Sequence, residues 1–109
     1  MLLLSSFVIT LALLSPAARP SHIGHQCFDK YPNMTGTVNS DLIQGTNQAN
    51  IIRTKNGNDV VFGFGGNDRI CGQQDDDSLI GGEGFDRLNG GPGVDFCDGE
   101  VVRRCELTP

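Results

Sequence analysis

A nine-residue phrase, written seven times between Gly36 and Asp98, constrains this chain more than anything else in it. Cut in frame, the stretch reads GTVNSDLIQ, GTNQANIIR, TKNGNDVVF, GFGGNDRIC, GQQDDDSLI, GGEGFDRLN and GGPGVDFCD. The sixth position is Asp41, Asn50, Asp59, Asp68, Asp77, Asp86 and Asp95, a carboxylate in every copy but one. The eighth is Ile43, Ile52, Val61, Ile70, Leu79, Leu88 and Cys97, aliphatic in six copies. Glycine dominates the first position, and Gly57, Gly66, Gly84 and Gly93 hold the fourth. A copy this short cannot bury its own apolar residue, so the copies must stack into a solenoid.

Each copy divides into a six-residue turn and a three-residue strand. The turn needs residues that tolerate positive φ, which glycine adopts freely and Asn or Asp at modest cost. Where the fourth position is not glycine it is Asn39, Gln48 or Asp75, and left-handed backbone is expected there as well. In a strand, side chains alternate between faces, so only the middle residue of the three points inward. The expected fold is all-β: a flattened right-handed coil with two copies per turn and two short parallel sheets enclosing the aliphatic row.

That coil puts Asp41, Asp59, Asp77 and Asp95 along one edge and Asn50, Asp68 and Asp86 along the other. Carboxylates stacked about 4.8 Å apart repel unless a cation sits between them. The donors on offer are all oxygens, carboxylates together with turn carbonyls that glycine leaves accessible. A hard cation with flexible coordination, Ca2+, suits that set better than zinc does.

The phrase matches the pattern G-G-x-G-x-D-x-U-x, where U is aliphatic, and the chain thereby resembles the RTX (haemolysin-type) calcium-binding nonapeptide repeat family. Gly81, Gly82, Gly84, Asp86 and Leu88 match in full, as do Gly90, Gly91, Gly93 and Asp95, while Gly57, Gly63, Gly65 and Gly66 serve the earlier turns. The resemblance implies a parallel β-roll (a β-solenoid) over residues 36–98, with calcium held between each turn and the turn two copies on. Five such pairings exist, of which Asp68/Asp86 and Asp77/Asp95 carry the fullest motif, followed by Asp59/Asp77 and Asp41/Asp59. Asn50/Asp68 ranks last for want of charge. The sequence departs from the pattern at Asn50, at Thr54-Lys55 in place of a glycine pair, and at Gln73-Gln74.

Outside the repeats, residues 2–14 are thirteen largely apolar positions without a charge, followed by Ser15-Pro16-Ala17. That is too short to span a membrane and fits a secretory signal peptide over 1–17, cut after Ala17. Residues 18–35 read as a polar leader, in which His22 and His25 lack further ligands and Asn33-Met34-Thr35 forms a glycosylation sequon. Residues 99–109 read as a cap folded over the last coil, since an open roll would expose strand edges. Four cysteines in a secreted chain, none in a Cys-x-x-Cys pair, point to two disulfides with three possible connectivities. Cys97 and Cys105 are close and flank the end of the roll, so they are expected to pair. That leaves Cys71, at a strand end and outward-facing, for Cys27.

The net charge of −5 argues against nucleic acid as a partner. Neither Gly-x-Ser-x-Gly nor His-Glu-x-x-His occurs, and no enzyme is expected. Asp75-Asp76-Asp77 lacks the glycine and glutamate of an EF-hand loop. The outward residues of one sheet are Leu42, Val60, Phe62, Ile80 and Phe96, with Gln44, Ser78 and Asp98. That apolar face suggests a second reading, an interaction module that presents it to a partner or to itself. The other sheet shows Ile51, Arg53, Arg69, Cys71, Arg87 and Asn89 and reads as solvated.

Overall fold

The computed structural model describes residues 31–109, so the expected signal segment, His22, His25 and Cys27 lie outside the described residues. Among the described residues the strands, in chain order, are β1 (Met34–Thr35), β2 (Leu42–Gln44), β3 (Ile51–Arg53) and β4 (Val60–Phe62). They continue with β5 (Arg69–Cys71), β6 (Ser78–Ile80), β7 (Arg87–Asn89), β8 (Phe96–Asp98) and β9 (Val101–Arg103). All seven three-residue strands of the repeat fall at positions seven to nine of their copy. The odd strands form one five-stranded sheet, β1-β3-β5-β7-β9, and the even strands a four-stranded one, β2-β4-β6-β8. Every pairing is parallel, and the fold is a β-roll of about four turns.

Register follows the sequence period doubled. Ile52 lies beside Ile70 and Ile70 beside Leu88 in one sheet, and Val61 beside Leu79 and Leu79 beside Cys97 in the other. Those eighth-position side chains, from Ile52 to Cys97, form the buried core, with Ile43, Met34 and Val102 half-buried at its two ends. The core is one side chain thick. It fixes which face of each strand turns inward, because a slip by one residue would expose the whole row.

The roll extends past both ends of the repeat. Met34 stands one period before Ile43, and β1 pairs with β3 before the first glycine of the motif. At the other end β9 pairs with β7, with Val102 beside Leu88. Leu107 bridges Phe96 and so closes the last strand of the four-stranded sheet. Cys97 and Cys105 form a disulfide across that end, with Cα atoms 5.9 Å apart.

One expectation is corrected. Cys71 is 1% exposed and Asn89 is 8%, so this end of the five-stranded sheet is not a solvated face. The outward row there is Arg53, Cys71, Asn89 and Arg103, and Cys71 lies between two longer side chains. Cys71 is itself disulfide-bonded, and its expected partner Cys27 lies outside the described residues. On the opposite face, Val60, Phe62, Ile80 and Phe96 are half-buried, and of its apolar residues only Leu42, on the first strand, is largely exposed.

Candidate metal centre

The sixth-position side chains occupy the inside of the turns. Asp59, Asp68, Asp77, Asp86 and Asp95 are each at most 2% exposed. Burying a carboxylate is costly unless its oxygens are paired, and each of these has one oxygen paired. Asp59 Oδ1 accepts the N–H of Asp41, and Asp77 Oδ1 that of Asp59. Asp95 Oδ1 accepts the N–H of Asp77. On the other edge Asp68 Oδ1 accepts from Asn50, and Asp86 Oδ1 from Asp68. All five bonds span eighteen residues at 2.7–2.9 Å. The stacked acids are therefore not merely crowded, because each is tied to the main chain of the turn before it.

The second oxygen is different. Oδ2 of Asp59, Asp68, Asp77, Asp86 and Asp95 is buried and has no hydrogen-bond partner. Orphaned buried oxygens of this kind are rare and call for a missing positive group.

Turn geometry separates these five from the first two. In the later turns the second and fourth positions are both left-handed: Lys55 and Gly57, Phe64 and Gly66, Gln73 and Asp75, Gly82 and Gly84, Gly91 and Gly93. Asn39 and Gln48 are not left-handed, contrary to expectation. Their turns carry threonine at the second position, and it closes them from within. Thr37 donates its N–H to Asp41 Oδ2 at 2.6 Å, and its hydroxyl adds a second bond at 2.9 Å. Thr46 donates its N–H to Asn50 Oδ1 at 2.8 Å. The first two turns thus satisfy their own sixth-position oxygens, and the other five do not.

The first-position glycines face the orphaned oxygens. A Cβ at Gly63 would collide with Asp68 Oδ2 and lie 2.6 Å from the carbonyl oxygen of Gly81. One at Gly72 would collide with Asp77 Oδ2 and lie 2.9 Å from the Gly90 carbonyl oxygen. At these two positions a carboxylate oxygen and the carbonyl two copies on therefore converge on space that the glycine leaves open. Thr54 is the one non-glycine at this position, and its hydroxyl donates to the Gly72 carbonyl oxygen at 2.5 Å. Its proton is thereby committed, and Asp59 Oδ2 stays unpaired beside it.

No three carboxylate, imidazole or thiol side chains gather at one point among the described residues. The donor set is mixed, with buried carboxylates joined by turn carbonyls. Calcium takes such shells of six to eight oxygens, whereas zinc sites are built from nitrogen and sulfur. The residues present fit calcium.

The electrostatics agree. Burial pushes Asp77 up to about 7 against the lowering effect of the Asp59 N–H, and the charges of Asp95, Asp59 and Asp75 add to the rise. Burial likewise brings Asp68 and Asp95 to about 6 and raises Asp59 and Asp86. A bound divalent cation would reverse that penalty by favouring the ionised form.

Two features of the turns escape the nine-residue pattern. The fifth position carries a second ladder that runs the opposite way. Asn58 N–H donates to Ser40 Oγ, Asp76 N–H to Asn58 Oδ1, and Val94 N–H to Asp76 Oδ1. On the other edge Phe85 N–H donates to Asn67 Oδ1. A polar side chain at position five was the available signal. The second feature is the tail, where Asp86 N–H donates to Glu100 Oε2 at 2.8 Å and Asp95 N–H to Glu106 Oε1 at 2.9 Å. Each glutamate stands directly before a residue that pairs with the roll, Val101 in β9 or Leu107 in its bridge to Phe96, as the sixth-position aspartates do. The length of the copy changes there while its order persists.

The model of the RTX calcium-binding nonapeptide repeat, which spans four copies, matches residues 35–70, 44–79 and 72–101. Comparison with curated proteins and with solved structures gives no match.

Proposed function

The chain belongs to the RTX calcium-binding nonapeptide repeat family, and from that premise we propose that it is a secreted protein whose roll folds as its turns take up calcium. The observation that carries this reading is the set of five buried, unpartnered Oδ2 atoms. Asp68 with Asp86 and Asp77 with Asp95 hold the ion, assisted by the carbonyls of Gly81 and Gly90. Asp59 with Asp77 contributes a further site beside Thr54. Asp41 with Asp59 and Asn50 with Asp68 contribute less, since Thr37 and Thr46 already donate to Asp41 and Asn50. Calcium neutralises the columns, and a site held at a hundred times its dissociation constant adds ~2.7 kcal/mol to the folded state. The paired carboxylates serve the ion rather than a reaction.

Calcium titration followed by circular dichroism tests the assignment. Asp86→Ala removes an unpartnered oxygen and an acceptor for Asp68 N–H, and it should raise the calcium midpoint clearly. Asn50→Ala removes a side chain that Thr46 already satisfies and should raise it less. Equal shifts would remove the distinction between open and closed turns.

Secretion rests on residues 1–17, whose apolar run and small residues before Ala18 fit a signal peptide. Residues 18–35 then form the leader, 36–98 the repeats and 99–109 the cap, with Met34–Thr35 of the leader and Val101–Arg103 of the cap joining the roll as end strands. N-terminal sequencing of protein from culture medium should start near Ala18, and an intact Met1 there would make the segment structural. A second reading keeps the roll as a scaffold for contact through Leu42, Val60, Phe62, Ile80 and Phe96. The stacked rings of Phe62 and Phe64, 6.2 Å apart, favour it by adding an exposed aromatic to that face.

A further inference from the structure

We propose that the cap completes one more calcium site, made by Asp95, the Arg104 carbonyl and Glu106, and that the Cys97–Cys105 disulfide holds it together. The inference rests on the calcium reading above but concerns residues outside the repeat. Gly90 is the last first-position glycine. A Cβ there would lie 2.5 Å from Asp95 Oδ2 and 2.5 Å from the Arg104 carbonyl oxygen. That is the same convergence seen at Gly63, where the oxygens come from Asp68 and Gly81. Asp95 is fully buried and its Oδ2 has no partner, so an unpaired oxygen already points into this space.

Backbone bonds place Arg104 in the first-position role. Gly90 N–H donates to the Arg103 carbonyl at 3.0 Å, just as Gly72 N–H donates to that of Asn89 at 2.9 Å. Glu106 then accepts the Asp95 N–H, the bond that Asp95 itself accepts from Asp77 one turn earlier. The six-residue turn 90–95 is answered by three residues, Arg104-Cys105-Glu106, and the longer glutamate side chain spans the missing length. The opposite edge ends in a related way, where Gly81 N–H donates to the Asp98 carbonyl at 2.9 Å and Glu100 accepts the Asp86 N–H. At Gly90 the cap carbonyl itself lies in the cradle beside the aspartate oxygen.

Cys105 sits between the two cap donors, and Cys97 two residues after Asp95. The disulfide therefore fixes the distance between the two halves of the site. Reduction leaves the aspartate on the roll and frees the donors on the tail, so occupancy of this site depends on the redox state of one bond.

Calorimetric calcium titration of the full chain provides the test, with Glu106→Gln as the central variant. The amide oxygen still accepts the Asp95 N–H while the charge is lost, so the cap stays folded. The expected result is one ion fewer than wild type, with Asp98→Asn, an exposed strand acid, unchanged. The Cys97→Ser/Cys105→Ser pair should keep the site but bind about 10- to 100-fold more weakly, the range for groups that orient ligands. In wild type, the NMR amide signals of Cys105 and Glu106 should move with calcium, which checks the site without any variant. If wild type binds calcium but Glu106→Gln has the same stoichiometry and the cap amides stay still, this site is overturned and the repeat sites stand. If wild type binds no calcium, both readings fall.

Discussion

Chelating calcium is expected to remove most of the β-sheet circular dichroism of this chain, and millimolar calcium should restore it in a cooperative transition. Without metal, five carboxylates must stay buried with an unpaired oxygen each. The core that would have to offset this is a single file of six buried side chains. Magnesium should restore little, because it demands a tight octahedral shell and gives up water reluctantly. Acid should restore part of the signal in the absence of any metal. The buried aspartates have folded-state pKa values raised above their unfolded ones, to about 6 for Asp68 and Asp95 and about 7 for Asp77. Stability from such groups is fully present below the unfolded value, about 4, and is lost as pH rises through the folded value. The metal-free chain should therefore be more ordered near pH 4.5 than near pH 8. Full β signal and a cooperative melt at pH 8 in excess chelator would contradict a structural role for calcium.

Gly63→Ala should damage its turn severely, although its backbone, unlike that of Gly82 or Gly91, is not left-handed. Its Cβ would meet Asp68 Oδ2 and the Gly81 carbonyl oxygen at once, and the second is backbone that cannot swing away. Gly63 N–H is also bonded to the Ile80 carbonyl at 2.7 Å, so the turn cannot retreat without breaking the sheet. The methyl occupies the space that the two oxygens share. The variant should lose the calcium response of that edge, and its melting temperature in saturating calcium should fall by at least several degrees, as a loss of 1 kcal/mol already gives about 4–8 °C in a domain this small. Gly65→Ala is the matched control, since a Cβ there has nothing nearer than 3.3 Å and φ is not left-handed. If both variants melt alike, the shared-space account of the first position fails.

Much of this architecture was legible in the sequence. The period gave the strands to the residue, because an aliphatic eighth position can only be the inward one of three. It also placed the two aspartate columns. What it could not give depends on neighbours rather than on period. Asn39 and Gln48 occupy the position of the turn glycines, yet Thr37 and Thr46 select another backbone by donating to Asp41 and Asn50. Cys71 alternates outward as expected, but its burial follows from the residues on either side. Glu100 and Glu106 fall out of frame, although the order of acid and then strand persists around them.

Strand pairing eighteen residues apart has a consequence for how such a chain can change length. The two faces of the roll differ only because alternate copies differ: Leu42, Val60 and Phe96 come from odd copies, and Ile51, Arg69 and Arg87 from even ones. Deleting one copy would move every later strand to the opposite sheet, mixing arginines into the aliphatic face while leaving each turn intact. Deleting two adjacent copies would preserve both faces and shorten the roll by one turn. The unit of inheritance for this molecule is therefore the pair of copies, although the unit of folding chemistry is the single one.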